Sequence, residues 1–198
     1  MSARPVKRIS LLLCLCAALA ACAVSSPPIQ YLQLSAGTVT MPGQGTLTVA
    51  VDAIAVPDYL LRNELLLRDS AYSLRYRADR RWAEPLDLGI QRVLARRLAA
   101  ELGTRQVSAF PEVARTPPDW ELRVSVQRFE ILEGRATLKA IGVWTPRDGT
   151  AQTKQQIEFE ATQPLPEPAT QLAPNADVAI ALSELLWRFA EALAEPLR

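Results

Sequence analysis

The tetrapeptide Leu19-Ala20-Ala21-Cys22 is the place in this chain where residue type and spacing specify a covalent reaction. Arg4, Lys7 and Arg8 precede it, followed by the apolar run Ile9–Ala21. A cationic start, a short apolar middle and small residues before a cut describe a secretory signal peptide, here residues 1–21. Cysteine immediately after the cut makes the tetrapeptide a lipobox, as in bacterial lipoproteins. The expected product begins at Cys22, with diacylglycerol on its sulfur and a third acyl chain on its amine. The apolar run is too short to span a hydrocarbon core that needs about 20 residues. Each buried acyl methylene adds about 0.8 kcal/mol, so three chains anchor durably where one holds only marginally.

Other chemistry is scarce. The chain has no histidine, which removes Ser-His and Cys-His catalysis and imidazole metal sites. Cys14 and Cys16 lie in the discarded run, so no free thiol is expected and no thiolate zinc site or disulfide either. None of the eight glycines is spaced as GxGxxG or GxxxxGK, so no phosphate cradle appears. Glycosidases need only two acids, yet Glu64, Glu84 and Glu121 show no distinguishing context. The expectation is a protein without catalysis, cofactor or metal.

Binding residues are easier to nominate. Arg75, Arg77, Arg80 and Arg81 crowd near Tyr72, Tyr76 and Trp82. They read either as a patch for lipid phosphate or an acidic partner, or as a solvated hairpin face partly neutralised by Asp79 and Glu84. Trp82 and Glu84 stand at the entrance to a helix, as a structural staple and a helix-start charge or as an exposed anchor.

The elements that must hold these residues follow from periodicity. Losing residues 1–21 leaves 19 cationic side chains against 21 acidic, a formal net charge of −2, which calls for no nucleic acid. Residues 22–30, with Ser-Ser-Pro-Pro, form a tether, and residues 31–198 form one domain with its own core. Tyr31–Leu34 is a candidate first strand. Thr46–Val56 is apolar on both faces and reads as a central, fully buried strand ended by Pro57. Glu64–Asp69 and Tyr72–Ala78 pair across a tight turn. Leu86–Leu102 is an amphipathic helix, with Gln91 on its polar side and Gly103 as its C-terminal cap. Gln106–Phe110 is a short strand. Trp120, Leu122, Val124 and Val126 alternate with polar residues until the parity slips near Arg128, which predicts a bulge. Ala136–Trp144 and Lys154–Ala161 are further strands, and Ala176–Glu195 is a second helix whose apolar stripe covers core or holds a lipid tail. The fold class expected is α/β in the α+β sense: a twisted mixed or antiparallel sheet packed by two amphipathic helices.

The run from Val49 to Arg68, VAVDAIAVPDYLLRNELLLR, followed by Trp82-Ala83-Glu84-Pro85-Leu86 and a helix, resembles the PqiC-type lipoproteins. These are auxiliary lipoproteins of ABC-type transport systems that use MCE-domain proteins. The upstream Tyr31-Leu32-Gln33-Leu34 fits the same pattern, while Leu61 stands where the family often carries Asp. The resemblance implies a non-catalytic partner of an MCE-domain periplasmic protein and its inner-membrane permease and ATPase. It would dock the lipid conduit to the outer membrane from the periplasmic side. Ala23 agrees with outer-membrane sorting, because aspartate there retains enterobacterial lipoproteins at the inner membrane. The expected contact residues are Tyr59 and Arg62, with Trp82 and Glu84, alongside Arg75 and Arg77 of the basic run. A homo-oligomeric ring around the conduit tip is a further expectation. An adaptor for another envelope machine and a lipid carrier with its own cavity remain open alternatives at this point.

Overall fold

The structure, a computed structural model, describes residues 28–40, 43–112, 116–147, 152–165 and 175–198. The signal peptide, Cys22 and most of the expected tether lie outside the described residues. The elements are β1 (Gln30–Leu32), β2 (Val49–Val51), a 3-10 turn (Asp58–Leu60), β3 (Glu64–Ser70), β4 (Ser73–Trp82), α1 (Leu86–Glu101), β5 (Val107–Ala109), β6 (Trp120–Leu132), β7 (Arg135–Pro146), β8 (Gln155–Pro164) and α2 (Asn175–Ala194). Among the described residues, two helices and eight strands in one open mixed sheet make the α+β architecture the patterning predicts.

β6 organises the sheet. One of its edges pairs antiparallel with β7 from Trp120 to Leu132, and β8 adds antiparallel to β7. The other edge is shared. β2 pairs parallel with its start, at Val49–Val51 against Trp120–Leu122, and carries β5 beyond it. β3 pairs parallel with its end, at Leu67 and Arg68 against Ile131 and Leu132, and carries the β4 hairpin and then β1. The sheet therefore forks along β6. The expected bulge is present, with Gln127 skipped between the Val126 and Arg128 pairings.

Alternation along β6 and β7 sends Trp120, Leu122, Val124, Leu138, Ala140 and Trp144 to one buried face. That layer buries the stripes of both helices, Ile90, Val93, Leu94 and Leu98 from α1 and Leu182, Leu185, Leu186, Phe189 and Leu193 from α2. Trp144 shows how a polar group enters this core: its indole N–H donates to the Leu193 carbonyl at 2.8 Å. Phe159 of β8 packs on Phe189 with ring centroids 5.2 Å apart. Helix α1 ends as the sequence requires. Gly103 has φ +62°, and the N–H groups of Gly103 and Thr104 close on the carbonyls of Ala100 and Ala99.

Three expectations are corrected. Thr46–Val56 is not one fully buried strand: only Val49–Val51 is regular, and Ala53 and Ala55 are exposed. Alanine counts as apolar in a pattern yet tolerates water, so its presence on the second face did not mean a covering layer. Gln91 does not face solvent. It is buried and donates to the Asp52 carbonyl at 3.0 Å, serving backbone where the β2 ladder has ended. The second hairpin strand runs past Ala78 to Trp82, so Arg80 and Arg81 also lie in the strand.

Candidate functional site

The turn that follows Pro57 builds a compact site on the forked side of the sheet. Asp58–Leu60 winds as a 3-10 turn because Pro57 is extended and the N–H groups of Leu60 and Leu61 reach back to the carbonyls of Pro57 and Asp58. The winding drives Leu60 into the core and leaves Leu61 exposed. Tyr59 points inward and its hydroxyl donates to the carbonyl of Gln127, the bulged residue of β6, at 3.1 Å. Tyr76 of β4 in turn donates its hydroxyl to the Tyr59 carbonyl at 3.0 Å. The Arg62 guanidinium stacks 4.3 Å above the Tyr76 ring and pairs with Glu64. Tyr59 and Arg62 are thus brought together, with Tyr76 as the link.

Beside this turn lies a triad centred on a buried carboxylate. Glu130 Oε1 accepts from Arg68 Nε at 2.6 Å and from Arg128 Nε at 3.1 Å, and the Glu130 side chain is fully buried. Its Oε2 is buried without a hydrogen-bond partner among the described residues. Burial, and then the negative charge of Glu130, hold the Tyr59 phenol above its ordinary pKa, so it remains a hydrogen-bond donor. The Arg68 guanidinium is held more firmly protonated by its hydrogen bond to Glu130. Arg68, Arg128 and Glu130 escaped the sequence reading. The parity slip at Arg128 was their signal, but it placed Glu130 on a face that reads as solvent, where Arg68 and Arg128 close on it.

The remaining nominated residues separate. Arg75 and Arg77 alternate along β4 on the face opposite Tyr76. Arg75 pairs with Asp69 at 2.7 Å, and Arg77 grips Asp79 with two hydrogen bonds of 2.9 and 2.8 Å, which holds the Asp79 carboxyl below its usual range. Trp82 closes β4 with 6% of its surface exposed, packed in the core. Of the two readings of Trp82, the structural staple is the one seen and the exposed anchor is not: Trp82 pairs in register with Leu32 of β1, and both side chains are buried. Glu84 turns to Arg92 of α1, whose guanidinium also donates to the Leu34 carbonyl at 2.7 Å.

The arrangement offers an apolar and cationic rim, Leu61 and Arg62, on a base locked by Tyr59, Tyr76 and the triad. An enclosed cavity beside Tyr59 and Trp82 holds about 10 Å³, room for one water and not for a lipid. Among the described residues no group of three or more His, Cys, Asp or Glu is placed to hold a metal, and no helix is long and apolar enough to cross a membrane.

The family described as the ABC-type transport auxiliary lipoprotein component matches residues 31–194. The chain belongs to that family. The resemblance read from the Val49–Arg68 run and Trp82–Leu86 therefore stands. Among curated proteins nothing matches. Two solved structures share the fold of this auxiliary lipoprotein. A crystal structure of an uncharacterized protein is 17% identical with a TM-score of 0.67, covering 86% of this chain and 99% of that one. A Xanthomonas campestris protein of the DUF330 family is 16% identical with a TM-score of 0.63, covering 83% of this chain and 91% of that one.

Proposed function

We propose that this auxiliary lipoprotein is the non-catalytic, outer-membrane-anchored subunit of an MCE-type ABC system for intermembrane lipid transport. It fastens the outer end of the periplasmic conduit to the outer membrane and so supports envelope integrity. The observation that carries this reading is the family match over residues 31–194, joined to the lipobox ending at Cys22. Residues 1–21 are removed, Cys22 is acylated, residues 22–30 form the tether, and residues 31–198 dock from the periplasmic side. Lipid moves through the MCE-domain protein, driven by the inner-membrane permease and ATPase. The rim at Leu61 and Arg62 is the contact surface, because a locked turn on a rigid sheet presents its side chains with little entropy left to lose on binding, and Arg75 and Arg77 extend it onto the other face of β4. Copies of the domain form a ring at the conduit tip.

The test is crosslinking in cells from a photoreactive residue at position 61 of the full lipoprotein, with mass spectrometry of what is joined to it. An MCE-domain protein is the expected product. Recovery of a secretion or assembly machine in its place overturns the docking partner, while retaining the tethered adaptor.

A further inference from the structure

An open groove of about 380 Å³ runs between the segment after β1 and the outer side of α2, lined among others by Tyr31, Leu32, Ser35, Ala179, Ile180 and Trp187. Its wall is rigid. The Ser35 N–H donates to Ser183 Oγ at 3.0 Å, and the Trp187 indole N–H donates to the Ser35 carbonyl at 2.7 Å. Gly37 lies flat on the indole, where a Cβ would come within 2.8 Å of ring carbons.

The rim of this groove is apolar. Tyr31 is 66% exposed, Ile180 50% and Ile29 43%, three of the seven large hydrophobic side chains exposed among the described residues. Register places Arg81 beside Tyr31 and Arg80 beside Gln30. Arg80 is buried, its Nε has no hydrogen-bond partner among the described residues, and its carboxylate neighbour Asp79, at 3.7 Å, is already gripped by Arg77. Arg81, its side chain 39% exposed and 4.0 Å from Glu64, thus sets a cation next to an exposed tyrosine and two exposed isoleucines. Aromatic, aliphatic and cationic side chains mixed at one end match the headgroup region of an anionic bilayer.

Chain length says which surface covers it. Whatever its conformation, the chain from Cys22 to Gln30 spans at most about 28 Å. A domain of this length has a radius of gyration of about 15 Å and is about 40 Å across. An acylated Cys22 thus keeps the Ile29–Tyr31 end close to the bilayer and puts the opposite pole out of reach.

We infer that this end is a second membrane contact, resting on the acylation of Cys22 proposed above. Ile29, Tyr31 and Ile180 enter the headgroup layer beside the anchor, and Arg81 meets lipid phosphate. The contact orients the domain, so that it stands on the membrane instead of swinging on its tether.

The experiment places the acylated lipoprotein in vesicles of phosphatidylethanolamine and phosphatidylglycerol containing a lipid with a nitroxide near the headgroup. Ile180→Cys and, as control on the exposed face of β8, Glu158→Cys each carry a fluorophore. Fluorescence at position 180 is expected to be quenched several-fold more than at position 158, and Arg81→Glu should reduce the difference. Equal quenching at both positions, with the protein floating with the vesicles, overturns the contact and leaves the anchor intact. A blue-shifted, unquenched signal at position 180 that grows with protein density assigns the groove to a second copy and also overturns it. Failure to float, with unmodified Cys22 in the mass spectrum, overturns the anchor and the contact with it.

Discussion

Arg68 on β3 and Glu130 on β6 stand 62 positions apart in the chain and meet at 2.6 Å, with the carboxylate fully buried. β3 and β6 share only two register pairs. The ion pair, with Arg128 as its third member, supplies at this junction what the short ladder lacks. The Tyr59 turn borders the same junction: its phenol donates to the Gln127 carbonyl and feels the charge of the Glu130 carboxylate.

Glu130→Ala leaves two arginines facing a buried gap. Breaking one side of a buried pair typically costs about 3–5 kcal/mol. Urea unfolding should show that loss, and the double replacement Arg68→Met with Glu130→Leu should recover much of it. A cost under about 1 kcal/mol for the single change would mean that water reaches the site and the triad contributes little.

Arg62 and Arg75 have side chains 58% and 60% exposed, and their ion pairs are surface pairs worth at most about 1 kcal/mol. Arg62→Glu with Arg75→Glu should leave the melting curve nearly unchanged while crosslinking to the MCE-domain partner falls several-fold. Undiminished crosslinking would move the docking face elsewhere.

Gly37 combines φ +66° with close approach to Trp187. Alanine there meets both the left-handed backbone cost, about 1 kcal/mol, and the indole ring. Gly37→Ala should lower stability by about 1–3 kcal/mol and shift the tryptophan emission to the red as the strap lifts from Trp187. Unchanged emission would show that the ring accommodates the methyl.

Acid should weaken the fold through Asp119 and Asp79. The Asp119 carboxylate accepts from Thr48 N–H and Thr48 Oγ1 at 2.9 and 2.7 Å, with Arg147 alongside, and these bonds hold it below its usual pKa. A depressed carboxyl adds stability above the unfolded value of about 3.9 and loses it as pH falls through the folded value. Stability measured by urea from neutral pH downward should therefore decline most steeply below about pH 4. Asp119→Asn should lower the neutral plateau and flatten that decline, and parallel curves would remove Asp119 as a cause.

Much of this protein was legible in its order of residues, for reasons that act over short stretches of chain. Alternation along Trp120–Val126 and the slip at Arg128 placed β6 and its bulge. The stripe from Leu86 to Leu98 and the cap at Gly103 placed α1, and the PqiC-like run with Trp82–Leu86 pointed to the family. Periodicity works there because a strand or helix meets one face of a layer at a fixed spacing. The site was legible only in part. Tyr59 and Arg62 were nominated, whereas Trp82 turned out to be core, since its side is set by pairing with Leu32. Glu130 could not be found because its partner Arg68 lies 62 positions away. Nor could the groove at Tyr31, whose wall joins Ser35 to Trp187 across 152 positions. Such contacts depend on which layers come together. That depends on the energy of burying faces far apart in the chain, which leaves no periodic trace in the sequence.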